Sequence, residues 1–258
     1  MKTEAQTGVY IYGILPGDVE LQAQDAAGVG DPPAAVRLVR YNEIAALVSD
    51  VDVSRPLGQP DDLMAHEELL DSVATDAPVL PLRFGAVVAS EDAVTGELLE
   101  EHYEELSEAL QQLDGIAQYV VKGRYTQDAI LREILEESPE AADLAQQLKD
   151  ADPDASRNAR IELGEIINNA VAAKREEDTR AVGDALEGVV AAIAVRDPSH
   201  DLDAVHLALL VEATSEDQLL RAVRQLADDW EGRIDLRLLG PMAAYDFVAA
   251  PAPPSQAG

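Results

Sequence analysis

The chain has 258 residues, 47% of them apolar, enough for one large domain or two small ones with real cores, so disorder throughout is excluded. Fifty acidic against 19 basic side chains give a formal charge of −31, which repels phosphate backbones and anionic headgroups and argues against nucleic acid or membrane surfaces as partners. No cysteine is present, which removes disulfides, thiol catalysis and Cys-based zinc or iron–sulfur sites.

In chain order, the first eight residues, MKTEAQTG, lack an apolar segment, and no run reaches the roughly 18 apolar residues of a membrane span, which predicts a cytoplasmic protein. Val9 to Ile14 reads as a strand, with Val9 and Ile11 on one face and Tyr10 and Tyr12 on the other. Residues 36–41 and 44–51 read as a hairpin around Asn42. A Pro/Gly loop follows at 54–60, and Asp61 or Asp62 then caps a helix to about Thr75.

Pro78 ends that helix, and VLPLRFG, residues 79–85, follows as a strand. An arginine inside an apolar run is unusual, because a buried guanidinium needs a carboxylate or several carbonyls. Two readings of Arg83 stay open: a buried ion pair with Glu67 or Glu68, or a partner-contact residue beside Phe84 and Gly85. Residues 91–113 form an amphipathic helix, with Val94, Leu98, Leu99, Tyr103, Leu106, Leu110 and Leu113 at steps of three and four. Its glutamates read as a solvated face, and Gly115 closes it.

A second domain begins with a strand at 116–122. Two helical stretches follow, 126–150 and 155–193, and the charged run 174–180 predicts that the second projects into water or breaks there. Residues 204–211 are apolar on both faces, which predicts a central strand. Ser215 caps a helix to Trp230, and residues 233–239 alternate as a strand with one dry and one wet face. Tyr245 and Phe247 read as the end of a last strand, sealing the core of the second domain or forming a binding platform.

Together these give an α+β fold: two modules of antiparallel sheet with helices on one side, the second ferredoxin-like, with extra helices. The boundaries read as 8–114, 115–248 with a helical insertion, and a disordered tail at 249–258, too poor in apolar residues to pack. The run VLPLRFG, with YIYGI (10–14), HEELL (66–70), AVHLALLV (204–211) and LGPMAAYDF (239–247), resembles the gas vesicle synthesis proteins of the GvpF/GvpL family. Members of that family usually carry a Trp and further prolines after the Gly-Pro, whereas Met242, Ala243 and Ala244 follow Pro241 here.

The resemblance implies a non-catalytic accessory protein that binds the apolar shell subunit, other accessory proteins, or both, during gas vesicle assembly in the cytoplasm. A high negative charge suits that task, since it keeps an aggregation-prone companion in solution. The alternative is a small-molecule enzyme or ligand-sensing domain on a ferredoxin-like scaffold. Against an enzyme stand the missing phosphate loop and nucleophile elbow, and four histidines without ligand spacing. No catalytic residue, metal ligand or cofactor is therefore expected; Arg83, Phe84, Gly85, Tyr245 and Phe247 are the candidate contact or fold-motif residues. His66 reads as a partly buried structural histidine, and the pairs Asp50/Asp52 and Asp201/Asp203 as chance neighbours in an acidic chain.

Overall fold

Strand β1, Thr7–Pro16, is buried along nearly its whole length because it has neighbours on both edges and packing on both faces. In the computed structural model, which describes residues 7–21, 28–54, 56–149, 151–152 and 156–248, it pairs antiparallel with β3, Ile44–Asp52. The register runs from Thr7↔Asp52 to Pro16↔Ile44 and slips between Ile11 and Gly13. β2, Arg37–Tyr41, forms the expected hairpin with β3, and Asn42 takes the left-handed conformation at the turn, with φ 50°.

On its other edge β1 meets two short strands, β4 (Leu80–Pro81) and β5 (Val87–Val88). VLPLRFG is thus a two-residue strand running into a turn at Phe84–Gly85, with Gly85 at φ 89°. Pro81 pairs opposite Gly13 but gives the ladder no donor; the next donor, Leu82 N–H, reaches Tyr12 O at 2.8 Å. Helix α1, Pro60–Ala74, starts with Pro at N1, and Asp62 acts from the third position, accepting from the backbone N–H of Gln59 and Gly58.

The long amphipathic helix expected over 91–113 is three pieces: α2 (Glu91–Ala93), a π-helical segment (Val94–Glu100), and α3 (Tyr103–Gln112). The wider turn still buries Val94, Leu98 and Leu99, so the apolar spacing alone does not reveal it.

The chain divides into two compact units, one holding residues to Tyr119 and again from Gly240, the other Val120–Leu239. The second sheet contains β6 (Ile116–Tyr125), β7 (Ala192–Val195), β8 (Asp203–Glu212) and β9 (Ile234–Met242), in the order β7-β8-β6-β9. That is the order of a ferredoxin-like sheet, and both sheets are antiparallel. β8 lies between two neighbours, which explains its two apolar faces.

The helical region differs from expectation at three points. Ser138 caps a new helix at Pro139, so the first stretch splits into α4 (Gln127–Glu137) and α5 (Pro139–Leu148). α6, Arg157–Ala185, is unbroken through the charged run. It ends before residue 193, and Ala192–Val195 is instead the strand β7, paired with β8. α7, Glu216–Asp229, follows Ser215 as expected. The expected tail, 249–258, lies outside the described residues.

Candidate functional site

In the first unit an aromatic node forms around β1. Tyr10 and Tyr12, both fully buried, have ring centroids 4.8 Å apart, and His66 from α1 stacks on Tyr12 at 5.7 Å. Phe84 meets the edges of Tyr10 and His66 at 5.9 and 5.6 Å. Every polar tip has a partner. Gly85 N–H donates to the Tyr10 hydroxyl at 3.0 Å, and that hydroxyl lies 3.0 Å from His66 Nδ1. Val29 N–H donates to the Tyr12 hydroxyl at 2.6 Å, and Ser49 Oγ lies 2.8 Å from it.

Burial sets the protonation states. The His66 imidazole, 3% exposed, is pushed down to about 4 by loss of solvent, against the backbone hydrogen bond to Leu82. Burial likewise pushes the Tyr10 and Tyr12 phenols up. Around neutral pH the node holds no formal charge, which suits packing rather than proton transfer. His66 is thus a buried structural histidine, as expected from its helix face.

The five candidate residues separate. Arg83 is exposed, and its guanidinium makes no ion pair or hydrogen bond among the described residues, so the buried pair with Glu67 or Glu68 does not form. The reason is local: the strand stops at Pro81, and the chain turns outward before Phe84 folds back onto the node. Gly85 supplies the positive φ and the N–H that close this turn.

Tyr245 and Phe247 do not extend β9. They stand in a turn, with Tyr245 N–H donating to Ala243 O and Phe247 N–H to Ala244 O. Tyr245 packs against the cluster that contains Tyr10, Tyr12, Leu70 and Ala243, the same cluster Phe84 packs on. It seals the core of the first unit, not that of the second. Two polar clamps hold the turn: Ala243 N–H donates to Asp71 Oδ1, and Gln118 and Asp246 exchange two hydrogen bonds at 2.7 and 3.0 Å. Phe84 and Tyr245, far apart in sequence, thus serve one core.

The second unit holds an arrangement that the sequence does not announce. On α6, Lys174 and Asp178 are buried although they sit in the charged run. Lys174 Nζ reaches Glu133 and Glu137 of α4 at 2.6 and 2.7 Å. Asp178 receives Arg233 at 2.9 Å and the Tyr125 hydroxyl at 2.6 Å, and Arg233 also donates to Glu133 at 2.8 Å. Hydrogen bonding from Arg233 first, then from Lys174, holds the Glu133 carboxyl below its usual range despite partial burial. The i, i+4 spacing of Lys174 and Asp178 was the available signal: it sets opposite charges on one helix face.

Asp203, 1% exposed, closes the turn before β8 by accepting from Ser199 N–H, Ser199 Oγ and His200 N–H, with Arg124 at 3.3 Å. Its lone pairs are spent on the turn. Among the described residues no group of three or more His, Asp or Glu is placed to hold a metal ion, and no helix is long and apolar enough to cross a membrane.

Among the described residues β7 ends its sheet, with β8 as its one strand neighbour. Its exposed side chains are apolar: Ile193 is 38% and Val195 73% exposed. Such an edge offers unpaired backbone groups without the charges that usually blunt one.

The model of the family described as Gas vesicle synthesis protein GvpL/GvpF matches residues 8–249 of this chain. Gas vesicle protein F of Streptomyces sp. (strain CB03234) is 31% identical over 240 residues, covering 93% of this chain and 98% of that protein. The protein of the same name from Dolichospermum flosaquae is 24% identical over 243 residues, 93% of this chain and 97% of its own. The crystal structure of GvpF from Anabaena sp. PCC7120 matches with a TM-score of 0.73 at 22% identity, over 93% of this chain and 98% of that one, which shows a shared fold.

Proposed function

Because the chain belongs to the GvpL/GvpF family of gas vesicle synthesis proteins, we propose that it is a non-catalytic accessory protein of gas vesicle formation in the cytoplasm. It binds the apolar shell subunit, alone or with other accessory proteins, and keeps it soluble until it polymerises. The observation that carries this reading is β7 at the end of its sheet among the described residues, with Ile193 and Val195 exposed on a body of charge −31. An extended apolar segment adds to such an edge through backbone hydrogen bonds, while the surrounding charge opposes aggregation of the pair.

The test is genetic and biochemical. Deleting the gene removes buoyant, light-scattering vesicles, and the wild-type gene restores them. An Ile193→Lys/Val195→Lys variant folds with an unchanged melting temperature but neither restores vesicles nor co-purifies with the shell subunit. Normal vesicles in the deletion strain would end this reading, and full complementation by the double variant would move the contact away from β7.

A further inference from the structure

The helical run of the first unit carries a surface that net charge alone does not explain. Residues 91–114 contain nine Asp or Glu and no Lys or Arg. On one flank of α3 lies a cleft of about 420 Å³. Its floor is apolar, made by Pro16, Ile44, Pro78 and Leu110, and its rim carries the carboxylates of Asp18, Glu43 and Asp114. None of these three carboxylates makes an ion pair among the described residues. Ser107, on the wall, has its hydroxyl oxygen shielded from solvent and without a hydrogen-bond partner.

A solvated acidic face needs none of this. It needs no apolar floor beneath its carboxylates. The opposite flank of α3 continues the pattern. Tyr41 and Tyr103 meet edge-on at 5.8 Å, beside Glu100, Glu104 and Glu108. Both flanks border the helix that resumes after the π-helical segment.

We propose that this cleft is a docking site for a basic segment of a partner protein, with one lysine or arginine side chain entering it. The methylene stem lies on Pro16, Ile44, Pro78 and Leu110, as such stems do on apolar surface. The cation meets Asp18, Glu43 and Asp114. Neighbouring basic or aromatic residues of the partner lie along the Tyr41–Tyr103 flank, where a cation over a ring face adds attraction. A cleft of about 420 Å³ has ample room for one long basic side chain. This site is separate from the β7 edge and does not depend on what the protein assembles.

The test uses the full chain and fluorescein-labelled 14-residue helical peptides of Ala, Leu and Gln carrying three arginines at i, i+4 and i+7. Anisotropy at 50 mM salt shows the arginine peptide binding at least tenfold tighter than the same peptide with citrulline, an uncharged isostere. The Glu43→Gln/Asp114→Asn variant weakens binding at least fivefold with its melting temperature unchanged. Glu176→Gln/Glu177→Gln, which removes the same charge from an exposed part of α6, leaves binding intact. Amide shifts in the bound state centre on Ile44, Ser107 and Gln111. Equal losses in the two variants reduce the effect to net charge and overturn the proposal. Equal binding of the citrulline peptide, or tighter binding of free spermidine than of the arginine peptide, overturns it as well.

Discussion

The Tyr10 hydroxyl and His66 Nδ1 lie 3.0 Å apart inside the aromatic node of the first unit, joining β1 to α1. In the neutral ring Nδ1 can accept from the phenol; a protonated ring could only donate to the phenol oxygen and would carry a charge into a site without solvent, which burial disfavours.

That condition gives the fold a pH dependence with a definite sign. The folded His66 titrates near 4 and the unfolded one near 6.5, so the unfolded chain binds more protons between those values. Stability is therefore full above about pH 6.5 and falls as pH drops toward 4. Urea midpoints for the wild type and His66→Gln should show the gap between them shrinking by about 2–3 kcal/mol from pH 7.5 to 4.5. A gap that stays constant across this range rules the assignment out.

Arg83 and Phe84 are adjacent in sequence and opposite in consequence. Arg83→Ala should change stability by less than about 0.5 kcal/mol, because the side chain is exposed and unpaired among the described residues. Phe84→Ala should cost about 2–3 kcal/mol, because the ring no longer packs on Tyr10 and His66. Denaturant melts settle the contrast. If Arg83→Ala folds normally and still abolishes vesicles, the arginine acts on a partner.

Gly13, in YIYGI, stands where β1 changes register. An added Cβ would lie 2.7 Å from Leu80 O and 2.9 Å from Leu70 Cδ2, closer than atoms tolerate. Gly13→Ala should lose about 1–3 kcal/mol by overpacking. A melting temperature equal to wild type contradicts the close approach.

Arg233 is the shared cation of the second unit's network. Arg233→Met leaves Asp178 with the neutral Tyr125 hydroxyl and Glu133 with Lys174, and should cost about 2–4 kcal/mol, toward the lower end because the group is partly exposed. Adding Asp178→Asn should recover part of the loss, since it removes a carboxylate left without its arginine. Thermal melts of the single and double variants decide this, and a double variant less stable than Arg233→Met contradicts it. Glu133 is held below its ordinary range mainly by Arg233, so its contribution is full above the ordinary carboxyl value of 4.5 and is lost as pH falls from there through the depressed folded value.

Local periodicity accounts for the features that the residues determine alone. The β2–β3 hairpin at Asn42, the two-sided burial of β8 and the alternation of β9 are written in neighbouring side chains. So is the likeness to GvpL/GvpF proteins, carried by short runs in a fixed order. Tertiary structure decided the cases where a polar group's surroundings come from distant sequence. The run 174–180 reads as a solvated or broken helix until Glu133, Tyr125 and Arg233 arrive to neutralise it, and of the two readings of Arg83 the buried ion pair falls only when the folded chain leaves the side chain exposed. Tyr245 comes after the second unit, Val120–Leu239, in sequence, yet Asp71 anchors its turn on the first. Periodicity records which face of an element is apolar; only the assembled chain sets which charges meet and which stay in water, because Coulomb and hydrogen-bond partners are chosen by proximity in space.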